Sequence, residues 1–223
     1  MDTISYHLHE LDIALDSSHQ QRILPTVLPS DRRIVDIGCG IGQSLLALDC
    51  ADRECIGIDI DIDALDYGRR HYGDKIHYMR CNAAQLPLAN QSVDLIFSRV
   101  ALPYTNIPKA LKEIRRCLVP GGRVWMTLHP KAMIERDLQR AIKARKLWNI
   151  LFNSYKLANG YLLEYAKVTL PFVNGQYESW QSSKAISSLL KNQGFEILSI
   201  KNSPHLLVEA RLSLLTRRRY MSG

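Results

Sequence analysis

Three glycines at alternate positions, Gly38, Gly40 and Gly42, sit between a β-rich run and a helical pattern in Val35-Asp36-Ile37-Gly38-Cys39-Gly40-Ile41-Gly42-Gln43. A missing side chain lets backbone approach a ligand closely or take a positive φ angle. In open α/β sheets a turn at the carboxyl end of the first strand borders the ligand crevice. A helix beginning near Ile41 would point its partial positive end at that crevice. Asp59 closes the next apolar run, where an acid can accept hydrogen bonds from both hydroxyls of a ribose. Dinucleotide sites prefer G-x-G-x-x-G, whereas this spacing is G-x-G-x-G with Asp36 two residues ahead. That arrangement suits a nucleotide-like ligand carrying an ammonium group and no pyrophosphate. No lysine follows in the Walker A position, which argues against a phosphate cradle.

The elements that must hold these residues alternate along the first half. Strand patterns fall at Arg33–Ile37, Cys55–Ile60, Lys75–Arg80, Val93–Ser98 and Arg123–Leu128. Helical patterns fall at Ala64–Tyr72 and at Ile107–Leu118, whose apolar residues repeat at helical spacing before Pro120-Gly121-Gly122. Such alternation predicts an α/β fold, a mostly parallel sheet covered on both faces. The rhythm then breaks. Lys131–Ala158 reads as one long basic helix, with a strand signal only at Tyr161–Val173, then a helix at Ser182–Asn192 capped by Gly194. Phe195–Ile200 and His205–Leu212 close the pattern, joined so tightly that only antiparallel pairing fits. The chain thus reads as one domain of 223 residues: a helical lid over 1–30, a cofactor-binding core over 31–130, an insertion or cap over 131–177, and a helix with a strand pair over 178–223.

Composition narrows the class further. With 46% hydrophobic and 23% charged residues the chain is globular, and it contains no run of about 18 apolar residues that would span a membrane. The amino end lacks a signal-peptide layout. Five cysteines (39, 50, 55, 81 and 117), none in C-x-x-C, argue against a disulfide framework or a zinc ribbon, and point to a reducing cytoplasm. No metal site is expected. The net charge of +7 is concentrated late: Lys131–Lys156 carries seven basic against two acidic residues, and Lys201–Gly223 five against one. A solvated basic face explains this as readily as an anionic partner does.

VDIGCGIGQ resembles the first motif of class I S-adenosylmethionine-dependent methyltransferases, and GIDID resembles their second. CNAAQLPLANQSVDLIFS and ALKEIRRCLVPGGRVWMTL are similar to the family's third and fourth motifs, in order, so the resemblance covers about residues 32–128. It implies a Rossmann-like sheet of seven strands, mostly parallel with an antiparallel last strand, and a helical insertion after strand 5. It implies S-adenosylmethionine as cofactor, with Gly38, Cys39 and Gly40 along its methionine part and Asp36 near the amino group. Asp59 would hold the ribose and Ile60 would lie on the adenine. Asn82 would accept from the adenine amino group, Ala83 would offer its N–H to the ring, and Ser98 would reach the amino group through its carbonyl. The family often has Asp where Asn82 stands. Arg99-Val100-Ala101-Leu102-Pro103-Tyr104 replaces the His pair of many relatives. Its Leu-Pro-Tyr resembles the Asn-Pro-Pro-Tyr of amino-group methyltransferases, but lacks the leading Asn.

Two residues are candidates for proton handling during methyl transfer. His129 directly follows the fifth strand and would be a base near its usual pKa of about 6.5. Tyr104 is the second. Tyr6, His7 and His9 are candidates for a lid. The acceptor is expected to be a small molecule chosen by the insertion, where Lys143, Arg145 and Lys146 mix with Trp148, Phe152, Tyr155, Tyr161 and Tyr165. Its methylated atom (O, N or C) and the oligomeric state stay open. An RNA methyltransferase using the insertion and the Arg217-Arg218-Arg219 tail is one alternative. A non-catalytic cofactor-binding regulator is another, and a nicotinamide dehydrogenase is disfavoured by the glycine spacing.

Overall fold

A computed structural model describes residues 2–48, 52–202 and 205–214. The first half alternates as the pattern predicts: α1 (Thr3–Leu15), β1 (Arg33–Ile37), α2 (Gln43–Ala47), β2 (Glu54–Asp59), α3 (Ile62–Tyr72), β3 (His77–Arg80), β4 (Val93–Arg99), α4 (Ile107–Cys117) and β5 (Leu118–Leu128). Then come α5 (Lys131–Lys143), α6 (Leu147–Ala166), α7 (Ser183–Asn192), β6 (Phe195–Lys201) and β7 (Leu206–Leu212). The strands form one seven-stranded sheet in the order β3-β2-β1-β4-β5-β7-β6. All neighbours are parallel except β7, which is antiparallel to both β5 and β6.

Side-chain alternation along the strands builds two apolar layers. On one face Val35, Ile96, Val124 and Met126 pack with α4, α7 and Leu163 of α6. On the other, Ile34, Leu95, Phe97 and Trp125 pack with Leu45 of α2 and Leu65 of α3. Ile41 and Ala64 continue that layer to Leu11 of α1. A buried charge network pins the sheet's amino-terminal approach: Arg123 donates to Asp31 and to Glu209 of β7, each at 2.7 Å.

Four expectations are corrected. The Pro120-Gly121-Gly122 stretch does not separate α4 from its strand. β5 already begins at Leu118, and a register shift opposite Val93–Leu95 absorbs the glycines, with Gly121 at φ +85°. The single long helix is two helices, broken where Arg145 takes a left-handed φ of +50°. The strand expected over Tyr161–Val173 does not form, because α6 runs on to Ala166. Leu163 is fully buried there, and Asn159 ties the helix to the following segment through hydrogen bonds with Leu170 and the Glu178 carbonyl. Tertiary packing overrides the β-rich composition. Cys39, Cys81 and Cys117 are free thiols, while Cys55 is disulfide-bonded, which the cysteine spacing did not lead one to expect. The Arg217-Arg218-Arg219 tail lies outside the described residues.

Candidate active site

The glycine turn lies at the carboxyl edge of the sheet, and all three glycines have positive φ: +81° at Gly38, +55° at Gly40 and +94° at Gly42. Space as well as conformation demands them. A Cβ on Gly38 would stand 2.0 Å from the Ala101 Cβ, and one on Gly40 would stand 2.4 Å from the His7 ring. The helix after the turn starts at Gln43, later than expected, and has only five residues, so little axial dipole reaches the crevice.

Asp59 organises the turn. One carboxylate oxygen accepts the Gly40 N–H at 2.8 Å, and the other accepts those of Ile60 and Asp61 at 2.7 and 3.0 Å. Two oxygens offer about four acceptor positions, so capacity for a further donor remains. Beneath the turn, Asp36 is almost fully buried and one of its oxygens has no partner. Burial pushes its pKa up to about 8; neighbouring Asp59 adds to the rise and Arg99 opposes it. Ser98 is also buried, and its hydroxyl donates to the Ile37 carbonyl at 2.8 Å, joining β4 to β1.

A cavity of about 830 Å³ opens over this edge. Of the residues expected at a site, Gly38, Asp59, Ile60, Asn82, Ala83 and Tyr104 line it. Asp36, Cys39, Gly40, Ser98 and His129 do not line it and stand behind its wall or outside it. Ile60 presents an exposed apolar side chain at the rim. The Asn82 side-chain oxygen accepts the Ala84 N–H at 2.9 Å, closing a local turn and leaving one further acceptor position. Burial raises the Cys39 thiol far above the usual range, which makes it an inert packing group.

The opposite wall comes from α1. Tyr6, His7 and Glu10 face the cavity, whereas His9 is exposed and does not line it. His7 shares a hydrogen bond of 3.3 Å with Gln43, directly over the glycine turn. Glu10 pairs with Arg99 at the end of β4, and both are largely shielded from solvent. Val100 follows with a left-handed φ of +66°, rare for a β-branched residue. That bend sends the chain back over Gly38. Sequence reasoning missed Glu10 and Thr127 as cavity residues, since each belongs to the site through packing rather than through a motif, and it gave Gln43 and Val100 no role although their stretches stood out.

Of the two candidates for proton handling, Tyr104 lines the cavity with its ring half-exposed. Burial of the hydroxyl raises its pKa to about 12. His129 is 1% exposed, and its ring meets Tyr104 edge-on at 5.2 Å between centroids. Its backbone is clamped by Gln181, whose N–H donates to the His129 carbonyl at 2.8 Å and whose side-chain oxygen accepts the His129 N–H at 3.0 Å. Burial, with His205 and Lys156 nearby, lowers its pKa to about 4. The expectation of a base near its ordinary value is therefore corrected, because a buried imidazole loses the solvation its charged form needs.

Residues 35–126, from β1 through most of β5, match the family model described as a methyltransferase domain. Over that stretch the chain carries a methyltransferase domain, and it is similar to S-adenosylmethionine-dependent methyltransferases. It is 26% identical over 176 residues to a demethylmenaquinone methyltransferase of Clavibacter sepedonicus, covering 76% of this chain and 68% of the relative. It is 37% identical over 121 residues to a malonyl-[acyl-carrier protein] O-methyltransferase of Methylococcus capsulatus, covering 52% of this chain and 44% of the relative. Against curated relatives more than 30% identical, including that one, it spans less than half of the relative's length. Among solved structures, a chain in the Haloferax volcanii complex of the Trm112 methyltransferase activator with a methyltransferase superposes with a TM-score of 0.61 at 16% identity, covering 95% of this chain and 91% of that one. At that identity the likeness shows the fold.

The residues present fit the family's cofactor. A buried carboxyl with an unpartnered oxygen is costly unless a cation arrives, and the cofactor's amino group is one. The side-chain-free turn at Gly38 leaves room for close backbone approach, and Asp59 has acceptor capacity for ribose hydroxyls.

Proposed function

We propose that the chain transfers a methyl group from S-adenosylmethionine to an O, N or C atom of a small-molecule acceptor. The observation that carries this reading is the single cavity that joins the glycine turn and Asp59 to a wall of Tyr6, Glu10, Arg99 and Tyr104. In this reading Gly38, Cys39 and Gly40 flank the methionine part, with Asp36 and the Ser98 carbonyl toward its amino group. Asp59 takes the ribose, Ile60 covers one adenine face, and Asn82 with the Ala83 N–H addresses its edge. When bound, the cofactor supplies a methyl group already activated on a sulfonium, with a neutral leaving group.

Positioning is then the main task left to the chain. Tyr104 remains protonated at neutral pH and acts as a hydrogen-bond donor to the acceptor, while His129 supports its ring from behind. Neither supplies a strong base, which favours an acceptor that arrives with its nucleophile already ionised or unprotonated. One relative is named for demethylmenaquinone, a small acceptor, and another for malonyl-[acyl-carrier protein], in which the acceptor is held on a carrier protein.

The test is turnover to S-adenosylhomocysteine over a panel of small carboxylates, phenols, quinols and amines, with RNA as a separate arm. Turnover on a small acceptor that is insensitive to salt supports the proposal. Turnover confined to RNA, with steep salt dependence, would replace it. Cofactor binding without turnover on any arm would make the chain a regulator.

A further inference from the structure

Helix α6 buries Asn153, Asn159, Gly160 and Leu163 on its inner side. Its outer side does not look like a solvated helix. Leu147, Leu151, Leu162 and Tyr165 fall on one stripe at helical spacing, flanked by Trp148 and Tyr161, and all six are exposed, Leu147 by 80%, Tyr165 by 77% and Trp148 by 60%. Over 20 residues this stripe extends about 30 Å. Leu170 and Val173, in the segment that packs beside the helix through Phe172 and Tyr155, widen it. Patches of this extent on a soluble face mark an interaction site.

The charges around the stripe indicate what it meets. At its amino end the α5–α6 corner exposes Lys143, Arg145 and Lys146, none of which forms an ion pair among the described residues. Lys167 stands at the other end. Within α6 the only acid is Glu164, held by the Ser182 hydroxyl, and the only base is Lys156, turned inward to Glu178 at 2.7 Å. A second copy of the chain laid on this face would bring cations against cations in either orientation. An apolar stripe with Trp and Tyr, rimmed by unpaired lysine and arginine, complements a surface that is apolar inside and anionic outside. Among the described residues no helix is long and apolar enough to cross a membrane, so the match is to its surface.

We propose that the outward face of α6, with the α5–α6 corner, docks flat on a membrane surface bearing anionic phospholipid. Apolar side chains enter the headgroup boundary while Arg145 and Lys146 meet lipid phosphates. The segment behind α6 also touches the cavity wall, through the Ser179 N–H donating to the Pro103 carbonyl at 3.3 Å. Docking does not depend on the methyl-transfer reading and is tested without turnover.

The full chain is floated with vesicles of phosphatidylglycerol and phosphatidylcholine, and with phosphatidylcholine alone. Trp125 and Trp180 are buried and Trp148 is exposed, so a blue shift of tryptophan fluorescence on vesicle addition reports this face. Flotation with the anionic vesicles, weakening as salt rises, is expected together with the blue shift. Arg145→Glu/Lys146→Glu should require at least about tenfold more anionic lipid for half-binding. Leu147→Ser/Leu151→Ser should do the same while leaving the circular dichroism spectrum unchanged. Absence of flotation, or flotation indifferent to both double substitutions, would overturn the proposal. So would a dimer in sedimentation that Leu147→Ser/Leu151→Ser dissociates, since the stripe would then belong to a second copy.

Discussion

The Asp59 carboxylate at the end of β2 holds the Gly40 N–H at 2.8 Å, so the residue expected to meet a ribose also fixes the turn expected to meet the methionine end. One side chain thereby couples the ends of β1 and β2, the two halves of the proposed ligand site. Asp59→Ala should weaken S-adenosylmethionine binding by about 1–3 kcal/mol, roughly 5- to 150-fold, since it strands donors on both sides. Titration calorimetry at constant salt measures it. Unchanged affinity would place the ribose elsewhere.

Asp36 gives the free protein a distinctive pH response. Its folded-state pKa of about 8 is raised from an unfolded value near 4, so the folded state holds the extra proton between these values. Stability from this group is therefore present at low pH and is lost as pH rises toward and through 8. Asp36→Asn should flatten that decline in the free protein, read as Tm against pH. It should also weaken cofactor binding, since the proposed site sets the Asp36 carboxylate toward the cofactor's amino group. A decline in Tm that persists in the variant would assign it to another residue.

Gly38 has no room for a side chain. Its φ of +81° and the 2.0 Å separation from the Ala101 Cβ mean that Gly38→Ala must displace the backbone after Val100. The expected result is loss of cofactor binding with a drop in stability of roughly 1–3 kcal/mol. Denaturant unfolding and calorimetry separate the two effects.

Far from the cavity, Arg123 and Asp31 form a pair that is nearly inaccessible to solvent. Removing Asp31 leaves Arg123 with Glu209 and the Thr26 carbonyl but without one buried acceptor. Asp31→Ala should cost about 1–3 kcal/mol in urea unfolding. A loss below about 1 kcal/mol would mean that water reaches Arg123.

His129 should contribute no ionisation near pH 6.5 to the pH profile of kcat, because burial holds it at about 4. An inflection near 6.5 abolished by His129→Gln would restore it as the base.

The glycine turn and the mostly parallel sheet with its antiparallel last strand were legible in the sequence, because the strand and helix runs alternate and the last two strands are tightly linked. The run Arg33–Ile37 needs only β-rich residues followed by glycines, and α4 needs only its apolar spacing and the Asn106 cap. The far wall of the cavity was not legible. Glu10 and Arg99 are separated by most of the core in sequence and meet only through the fold. Val100 carries no mark of its left-handed conformation, which places Ala101 where a Gly38 side chain would stand. His129 falls directly after β5, but its burial against Gln181 and Tyr104, which lowers its pKa, cannot be read from that position. The outer stripe of α6 was visible as aromatics among basic residues, but only the two-helix hairpin shows that it faces solvent.

The central claim is that the turn over Asp36 and beside Asp59 binds S-adenosylmethionine. Equilibrium dialysis of the folded chain with radiolabelled cofactor tests it most directly. Saturable binding at one site per chain, weakened in Asp59→Ala and lost in Gly38→Ala, is the predicted result. No retention of label by protein with a native circular dichroism spectrum would contradict it.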